Sequence, residues 1–391
     1  LGGQETAPFA ITGHTSGVVN GSDVVVFGGH HANNTRNRAY VLKYPIEYPP
    51  RPQKIKQKLI VFFSVETRSW EEPEVSGQQP SARAGHSSVL FGSDLVIFGG
   101  RYASFSYNDT FLFDTSTFHP KFTFLILTPD TYLPESWRWE KLRCFGQLPL
   151  PRSHHSAVAT GHNSMLIFGG KYLLVRPLND LLLFTRGTTL NLTPAHFAFA
   201  GSARSEWKVI AGTGEVPSPR YGHSAIVWKN EMIIFGGCDG KTPLNDVHVF
   251  NIGTLPPPLV TTTFSQLFVV ILKGTNAWRS EKLSGYIEPR FGAAAALVDN
   301  KMFVVGGESA SGPLSDVYYL DLGSALSLPS LLSQSLTFYF NISDKKTWVY
   351  CGELSKQPLV GHSLAVIDKV ILCVGGVDVK TVHAIQAGMT P

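Results

Sequence analysis

The 391-residue sequence is poor in cysteine and in charge, and it has no long apolar run. Its four cysteines show no CxxC spacing and no paired framework, which favours a reducing compartment, so we expect a cytoplasmic protein. No apolar run reaches the roughly 18 residues of a membrane span, and no cationic-then-apolar segment opens the sequence. Charged residues make up 16% and the net charge is +4, a balance that does not mark a nucleic-acid-binding protein.

Sequence patterns of catalysis are also missing. HExxH, GxSxG and GxxxxGK do not occur, and the glycines around Gly212 lack the lysine and helix of a phosphate-binding loop. The adjacent pairs His30-His31 and His154-His155 would point to opposite faces of a strand, so neither suits a shared metal. We therefore expect no catalytic residue, no metal and no cofactor.

Helical periodicity is nearly absent, whereas 37 glycines and 25 prolines punctuate short apolar segments. Such a composition predicts an all-β protein. Six of these segments end in Gly-Gly, at steps of 71, 70, 67, 70 and 69 residues, with first glycines at Gly28, Gly99, Gly169, Gly236, Gly306 and Gly375. A repeat this regular predicts one structural unit copied six times, each burying its faces against its neighbours.

Each unit carries further features at fixed offsets. A histidine lies 14 or 15 residues before the second glycine in every copy except the fifth, which has Ala293. Between histidine and glycines, an apolar stretch broken by a polar turn predicts two strands in a hairpin. In copies two to five an Asn-Asp or Ser-Asp pair then precedes a third strand. In copies one to five a tryptophan opens a fourth: Trp70, Trp139, Trp207, Trp278 and Trp348.

This combination resembles the Kelch-repeat family, over nearly the whole chain. The resemblance implies a six-bladed Kelch-type β-propeller with four-stranded antiparallel blades, in which the tryptophans pack between adjacent sheets. We expect one domain over residues 1–391, with repeats at approximately 11–73, 82–142, 151–210, 219–283, 289–351 and 358–391. Leu1 in place of Met leaves room for fused or associated domains beyond this fragment.

The copies are longer than the roughly 50 residues of a Kelch unit. The surplus lies between the third and fourth strands, at 45–61, 118–136, 185–205, 253–276 and 322–345. The inserts 118–136, 253–276 and 322–345 are rich in Phe, Leu, Ser, Pro and Thr, which pyrimidine-rich codons specify. Two interpretations stay open: translated intron sequence, or genuine long loops on one face of the ring.

The loops after Gly-Gly are the predicted working face, because binding residues concentrate on loops of a rigid scaffold. In the first three copies they are cationic and aromatic, and the fourth adds a lysine. The candidate partner-binding residues are His30, His31, Arg36, Arg101, Tyr102, Tyr107, Lys171, Tyr172, Arg176 and Lys241. Arginine clamps carboxylate or phosphate, so an acidic or phosphorylated segment of another protein would fit. Solvated loops with scattered positive charge are the alternative.

Pro-rich segments lead into the histidine strands and end in Arg83, Arg152, Arg220 and Arg290. Each arginine stands 17 or 18 residues before the second glycine. This regular spacing predicts a structural role, in which the arginine braces a carboxylate or carbonyl of the neighbouring blade. A ring of arginines facing a ligand is the alternative.

Ring closure is the remaining question, because the sixth copy ends without a tryptophan. We expect residues 1–10 to pair back as the outer strand of blade six, which would protect its edge. A seventh blade in a longer product is the alternative.

The resemblance implies a non-enzymatic scaffold or adaptor that binds a protein through its top-face loops. Kelch proteins commonly act as scaffolds, cytoskeletal or trafficking effectors, or ubiquitin-ligase substrate receptors, and the residues do not choose among these. The rival class is a propeller enzyme, a metal-dependent oxidase or sugar isomerase with its site at the central channel. The Glu-x3-Asp-x3-His run of one enzymatic branch is absent. We expect neither a nucleic-acid nor a membrane partner.

Overall fold

The computed structural model describes residues 11–31, 34–43, 60–65, 70–115, 137–161, 163–187, 204–253, 276–323, 346–376 and 382–387. Within these ranges all regular structure is β-strand, and no helix is of the length and apolarity needed to cross a membrane. Most of each predicted insert lies outside these residues.

The strands form six antiparallel sheets, the blades of a propeller. Blade one contains β1 (Thr15–Val19), β2 (Asp23–Phe27), β5 (Ala39–Lys43) and β7 (Trp70–Glu71), with a small hairpin of β3 (His30–His31) and β4 (Asn34–Thr35). The strand β6 (Ile60–Val65) belongs to blade six. Blade two contains β8 (Val75–Gly77), β9 (Ser87–Phe91), β10 (Asp94–Phe98), β13 (Thr110–Asp114) and β14 (Trp137–Lys141), with the hairpin β11 (Arg101–Tyr102) and β12 (Phe105–Ser106).

The next blades repeat this order. Blade three contains β15 (Cys144–Gly146), β16 (Ser156–Gly161), β17 (Ser164–Tyr172), β18 (Arg176–Thr185) and β19 (Ser205–Val209). Blade four contains β20 (Thr213–Gly214), β21 (Ser224–Trp228), β22 (Glu231–Cys238), β23 (Pro243–Asn251) and β24 (Ala277–Ser280). Blade five contains β25 (Ala294–Val298), β26 (Lys301–Ser309), β27 (Gly312–Asp321) and β28 (Trp348–Glu353). Blade six contains β29 (Ser363–Ile367), β30 (Val370–Val374), β31 (Val382–Ala387) and β6.

The predicted six-bladed fold is confirmed, with one addition. Blades two to four carry a short fifth strand, which runs parallel to the fourth strand at the outer edge. The tryptophan is the first residue of β7 and β28, but β14, β19 and β24 begin one or two residues before it.

The hydrophobic core is divided among the blade interfaces. Six clusters of buried side chains are present, one between each pair of neighbouring sheets. The cluster between blades six and one joins Val24 and Val26 of β2 to Leu372 of β30, so the sheets close into a ring. Because both faces of a blade are covered, a central strand such as β10 reads as an apolar run, whereas the outer strand β14 alternates.

Each repeat tryptophan packs across an interface, as predicted. The phenylalanine before Gly-Gly in one blade contacts the tryptophan of the next, with ring centroids 4.7 to 5.0 Å apart. These pairs are Phe27 with Trp139, Phe98 with Trp207, Phe168 with Trp278, and Phe235 with Trp348. The spacing of the tryptophan thus follows from contacts between repeats.

A closed circle of six backbone hydrogen bonds surrounds the axis. The residue before the histidine position donates its N–H to the carbonyl of its counterpart in the preceding blade, at 2.7 to 3.2 Å. The six residues are Gly13, Gly85, His154, Gly222, Gly292 and Gly361, all with φ between 56° and 66°. This left-handed conformation explains why five of the six are glycine.

The lead-in arginines are buried braces, but the predicted partner was wrong. Arg152 is fully buried and its guanidinium binds both carboxylate oxygens of Asp180 at 2.7 Å, and Gly169 O at 3.0 Å. These partners lie in the same blade. The neighbouring blade is held instead by the arginine backbone, since Arg152 N donates to Tyr107 O and Arg152 O accepts from Gly100 N. Equivalent pairs are Arg83–Asp109, Arg220–Asp246 and Arg290–Asp316.

The Asn-Asp motif therefore has two separate roles. The aspartate binds the arginine of its own blade, whereas the asparagine amide donates to a carbonyl in the lead-in of the next blade. Asn108 binds Pro149 O, Asn179 binds Pro217 O, and Asn245 binds Ile287 O, at 3.0 to 3.4 Å. The Arg220 guanidinium and His248 hold the pKa of Asp246 well below its usual range despite partial burial.

The repeat histidines have structural partners in the preceding blade. Nε2 of the histidine in one blade bonds the hydroxyl that follows the histidine in the preceding blade, at 2.8 or 2.9 Å. The pairs are His14 with Ser363, His86 with Thr15, His155 with Ser87, and His223 with Ser156. Burial lowers the pKa of His14 to about 4 and that of His223 to about 3, so both are neutral at pH 7.

Blade six is closed differently from the prediction. Its outer strand is β6, which pairs antiparallel with β31 from Val65↔Val382 to Ile60↔Ala387. Residues 1–10, which were expected in this place, lie outside the described residues. The segment between β5 and β7, from the end of the insert 45–61 onward, therefore supplies the missing strand, because a chain leaving blade one is already next to blade six.

Removing one partner of a buried brace should destabilise the ring. We expect Asp180→Ala to lower the free energy of unfolding by about 2–3 kcal/mol, because Arg152 would keep its charge without a carboxylate. Urea denaturation measures this. Glu72→Ala is the control, since Glu72 and its partner Arg38 are both about half exposed, and its effect should stay within about 0.5 kcal/mol. Equal losses in the two variants would contradict the brace.

Acid should destabilise the protein through the buried histidines. Their folded-state pKa is lowered from 6.5, to about 4 for His14 and about 3 for His223 and His362. Below pH 6.5 these histidines become protonated in the unfolded chain but stay neutral in the folded state. The free energy of unfolding therefore falls towards pH 4, by about 1.4 kcal/mol per pH unit for each histidine. Melting curves from pH 7.5 to 4.5 test this, and His223→Gln should flatten the slope by one proton. A flat profile would be inconsistent with neutral buried rings.

Candidate functional site

The post-Gly-Gly loops lie beside the axial circle of hydrogen bonds. The innermost strands β1, β9, β16, β21, β25 and β29 contact one another in a circle around the axis. In the post-Gly-Gly loops the residue after Gly-Gly pairs with the residue before the axial glycine position. The bridges are Thr12–His30, Ala84–Arg101, Ser153–Lys171, Tyr221–Cys238 and Phe291–Glu308. These five pairs of residues, beside the axial circle, form the mouth of the ring.

Two uncompensated cations lie on the side of blades two and three. Arg101 and Lys171 form no ion pair with any described residue, and Nζ of Lys171 lies 4.4 Å from the ring centroid of Tyr221. Arg101 also has a buried Nε without a hydrogen-bond partner among the described residues. A carboxylate or phosphate of a partner would pair with the Arg101 guanidinium and the Lys171 ammonium group.

His154 occupies the axial position that the other blades give to glycine. Its φ is 56°, and its ring lies so close to Gly85 that a Cβ there would be 2.9 Å from His154 Cε1. Burial, followed by the charges of Arg101 and Lys171, lowers the pKa of His154 to about 4. The ring is therefore a neutral donor or acceptor beside the two cations at pH 7.

Aromatic side chains continue the arc towards blade five. The ring of Tyr221 makes edge contacts with His154 on one side and Phe291 on the other, each at 6.4 Å between centroids. Burial, Cys238, Asp239 and Glu308 raise the pKa of Tyr221 to about 12, so its hydroxyl stays protonated. The charge of the mouth thus changes from positive at blades two and three, with Arg101 and Lys171, to negative at blades four and five, with Asp239 and Glu308.

The ten predicted residues do not form one cluster. The charges of Arg101 and Lys171 both act on His154, and His30 lies at the mouth in blade one, where it bonds Thr35. Tyr102 and Arg176 are exposed in the hairpins of blades two and three, together with half-buried Tyr172; exposed Lys241 lies in the corresponding loop of blade four.

Two of the predicted residues have structural partners. Tyr107 lies 4.4 Å beneath the buried guanidinium of Arg83, and Arg36 donates to the Tyr40 hydroxyl at 3.0 Å. The side chain of His31 lies outside the described residues. The binding role predicted for Tyr107 therefore has less support than that of Arg101.

Sequence reasoning missed the aromatic and apolar part of this face. Phe105, Leu173 and Val175 are 71%, 52% and 77% exposed at the hairpins of blades two and three, beside the cations. Aligning the six copies on Gly-His would have singled out His154, because it is the only non-glycine at that position. The exposed hairpin residues have no such signal, since the loops differ between copies.

Within the described ranges no three His, Cys, Asp or Glu side chains gather in a group that would hold a metal ion. All four cysteines are free thiols. Burial raises the pKa of Cys351 to about 12, which leaves that thiol protonated.

Comparison with known proteins agrees with this architecture. Residues 3–121, 48–187 and 125–266 match the KLHDC2/KLHL20/DRC7 Kelch-repeats domain, and residues 289–324 match the Kelch motif. The chain belongs to the Kelch-repeat family. The Gly-Gly, Asn-Asp and Trp features of its blades are therefore Kelch features, and the contacts described above explain them.

This Kelch propeller is similar to segments of much longer proteins. It is 28% identical over 204 residues to acyl-CoA-binding domain-containing protein 5 of Arabidopsis thaliana, covering 52% of the chain and 26% of that protein. It is 25% identical over 272 residues to the flagellar outer arm dynein alpha chain of Chlamydomonas reinhardtii, and 27% over 298 residues to human host cell factor 1. These matches cover 65% and 66% of the chain but 5% and 12% of those relatives.

His154 should be replaceable by glycine without loss of stability. Its left-handed backbone costs about 1 kcal/mol, which glycine avoids. We expect His154→Gly to unfold at an equal or higher temperature than the wild type. Gly222→Ala at the equivalent position of blade four should lose about 1–2 kcal/mol, since a Cβ there meets Gly292 N at 3.3 Å. A marked loss in His154→Gly would show that its ring contacts outweigh the strain.

Proposed function

We propose that this Kelch propeller is a non-enzymatic protein-binding platform, and that its post-Gly-Gly face holds an acidic or phosphorylated segment of the partner over blades two and three. The observation that carries the proposal is that Arg101 and Lys171 both lie near enough to neutral His154 to act on it, while neither forms an ion pair within the described part of the chain. Arginine and lysine in this state favour an anionic side chain, because pairing removes the cost of their mutual repulsion.

Exposed apolar side chains support a protein as the partner. Phe105, Leu173 and Val175 are exposed in the hairpins that follow Arg101 and Lys171, and Tyr102 is 47% exposed. Aromatic and arginine side chains are the usual anchors of protein interfaces, whereas a small anion would gain nothing from the apolar tips. The segment would run from the mouth of the ring outward across the two hairpins.

The settings of the relatives are consistent with an interaction module. The dynein alpha chain and host cell factor 1 contain the matching region as a small part of a long chain. We extend this to the present protein as a scaffold or adaptor role, and the free thiols fit a reducing, cytoplasmic setting.

Charge reversal on the cationic side tests the proposal. An array of synthetic peptides would present Asp, Glu or phosphoserine, or Gln and Ser at the same positions, to the purified protein. We expect acidic and phosphorylated peptides to be retained, and Arg101→Glu with Lys171→Glu to weaken the best of them at least about tenfold by calorimetry.

Lys229→Glu is the matched control, because Lys229 is an exposed cation in a β21–β22 turn on the opposite face. Its affinity should stay within about twofold of the wild type. Retention of neutral peptides, or equal weakening by the control, would reject the cationic face.

A further inference from the structure

Blade five has a pair of tyrosines on its third and fourth strands, where blade two has a phenylalanine and a lysine. In blade two, Phe111 and Lys141 are direct cross-strand partners, and Nζ of Lys141 lies 5.8 Å from the ring centroid of Phe111. The buried Arg83 guanidinium lies 5.2 Å from the same centroid. That ring therefore lies near two cations, one buried and one at the surface.

The equivalent position in blade five keeps the buried cation and loses the surface one. Arg290 lies 5.5 Å from the centroid of Tyr318, and the cross-strand partner of Tyr318 is Tyr350. The two rings are 5.3 Å apart at 58°, and Tyr350 is 57% exposed. A tyrosine with a free π-face thus stands where blade two has lysine.

Carboxylates surround this tyrosine pair. Glu353 lies across the strands from Asp316, next to Tyr350, and Glu288 accepts a hydrogen bond from Ser311 at 2.6 Å. Asp316 is occupied by Arg290, but neither glutamate has an ion-pair partner in the described part of the chain. Burial and these acidic groups raise the pKa of both tyrosines: Asp316 and Glu288 act on Tyr318, and Glu353 on Tyr350.

We propose that Tyr318, Tyr350, Glu288 and Glu353 form an arginine-binding site on blade five, which holds a guanidinium group of a partner protein. The guanidinium would stack on the exposed face of Tyr350 and donate to the glutamate oxygens. Arginine suits this place better than a compact ammonium, because its planar group stacks on a ring and keeps its N–H groups in the plane for carboxylates.

This site goes beyond the proposed function, since it has the opposite charge and lies on another part of the ring. If both binding sites exist, one partner contacts blades two and three with acidic groups and blade five with an arginine. The two proposals fail separately, because the arginine site is tested with a small peptide and needs no acidic segment.

The experiment uses the protein with 3-fluorotyrosine and follows the ¹⁹F signal of Tyr350, assigned by its loss in Tyr350→Phe. The titrant is the blocked tripeptide Gly-Arg-Gly, with Gly-citrulline-Gly as the uncharged control of the same shape. We expect a saturable shift with a dissociation constant of about 1–10 mM for arginine and none for citrulline. Glu353→Gln should weaken binding several-fold, whereas Glu140→Gln, at an exposed glutamate on β14 of blade two, should leave it unchanged.

Tyr350→Lys copies the arrangement of blade two and supplies the cation from within the chain. In this variant the Tyr318 signal should no longer respond to the arginine peptide, while Tyr102→Lys in blade two should respond as the wild type does. Three results would overturn the proposal: no saturation below about 50 mM, an equal response to citrulline, or an undiminished response of Tyr318 in Tyr350→Lys.

Discussion

The circle of six backbone hydrogen bonds at the axis is the constraint on which the other contacts depend. It brings the inner strands so close that one residue per blade must adopt a left-handed backbone, and it sets the position of the histidine that follows. Close approach of neighbouring blades also requires glycine in the Gly-Gly pair, because a Cβ on Gly99 would lie 2.8 Å from Arg152 O of the next blade. The repeat glycines are thus fixed by contacts between blades and would have no reason to recur in an isolated sheet.

Outside the axis, each repeat residue has one task within its blade or across to the next. The Arg-Asp pair behaves as a unit: blade one lacks both, with Ile11 at the arginine position and Arg38 at the aspartate position. The interface between blades five and six lacks several of the ring's polar contacts. There Ala294 stands at the position that carries a hydroxyl in the other five blades, so the ring nitrogens of His362 have no hydrogen-bond partner among the described residues. The axial bond of this interface is also the longest of the six, at 3.2 Å. Apolar packing carries that interface.

The fold was predictable because its determinants recur at fixed spacing. Six Gly-Gly pairs and five tryptophans gave the blade count and the order of strands, and the structural role of Arg152 followed from the regular spacing of the lead-in arginines. The predictions that were wrong concerned which residues contact each other in the folded ring. Spacing alone cannot tell whether Arg152 reaches a carboxylate of its own blade or of the next, nor which of several apolar segments closes blade six.

The candidate site was less predictable, because binding depends on what differs between copies. Arg101 and Lys171 were found through their charge. Tyr107 has the same composition signal but lies under Arg83, and no sequence pattern distinguishes these two cases. His154 and the Tyr318–Tyr350 pair become visible only when the copies are superposed, since each departs from the residue that its counterparts carry at one position.

The pairing of β6 with β31 has a consequence for biosynthesis. From Val65 to Val382 the ribosome must add about 320 residues, which at roughly 5–20 residues per second takes about 15–60 s. For that interval the β6 segment lacks the strand with which it finally pairs, and an unpaired strand edge invites pairing with other chains. Completion of the toroid is therefore one of the last steps of folding, and a nascent chain stalled before β31 exposes the segment to aggregation or chaperone capture.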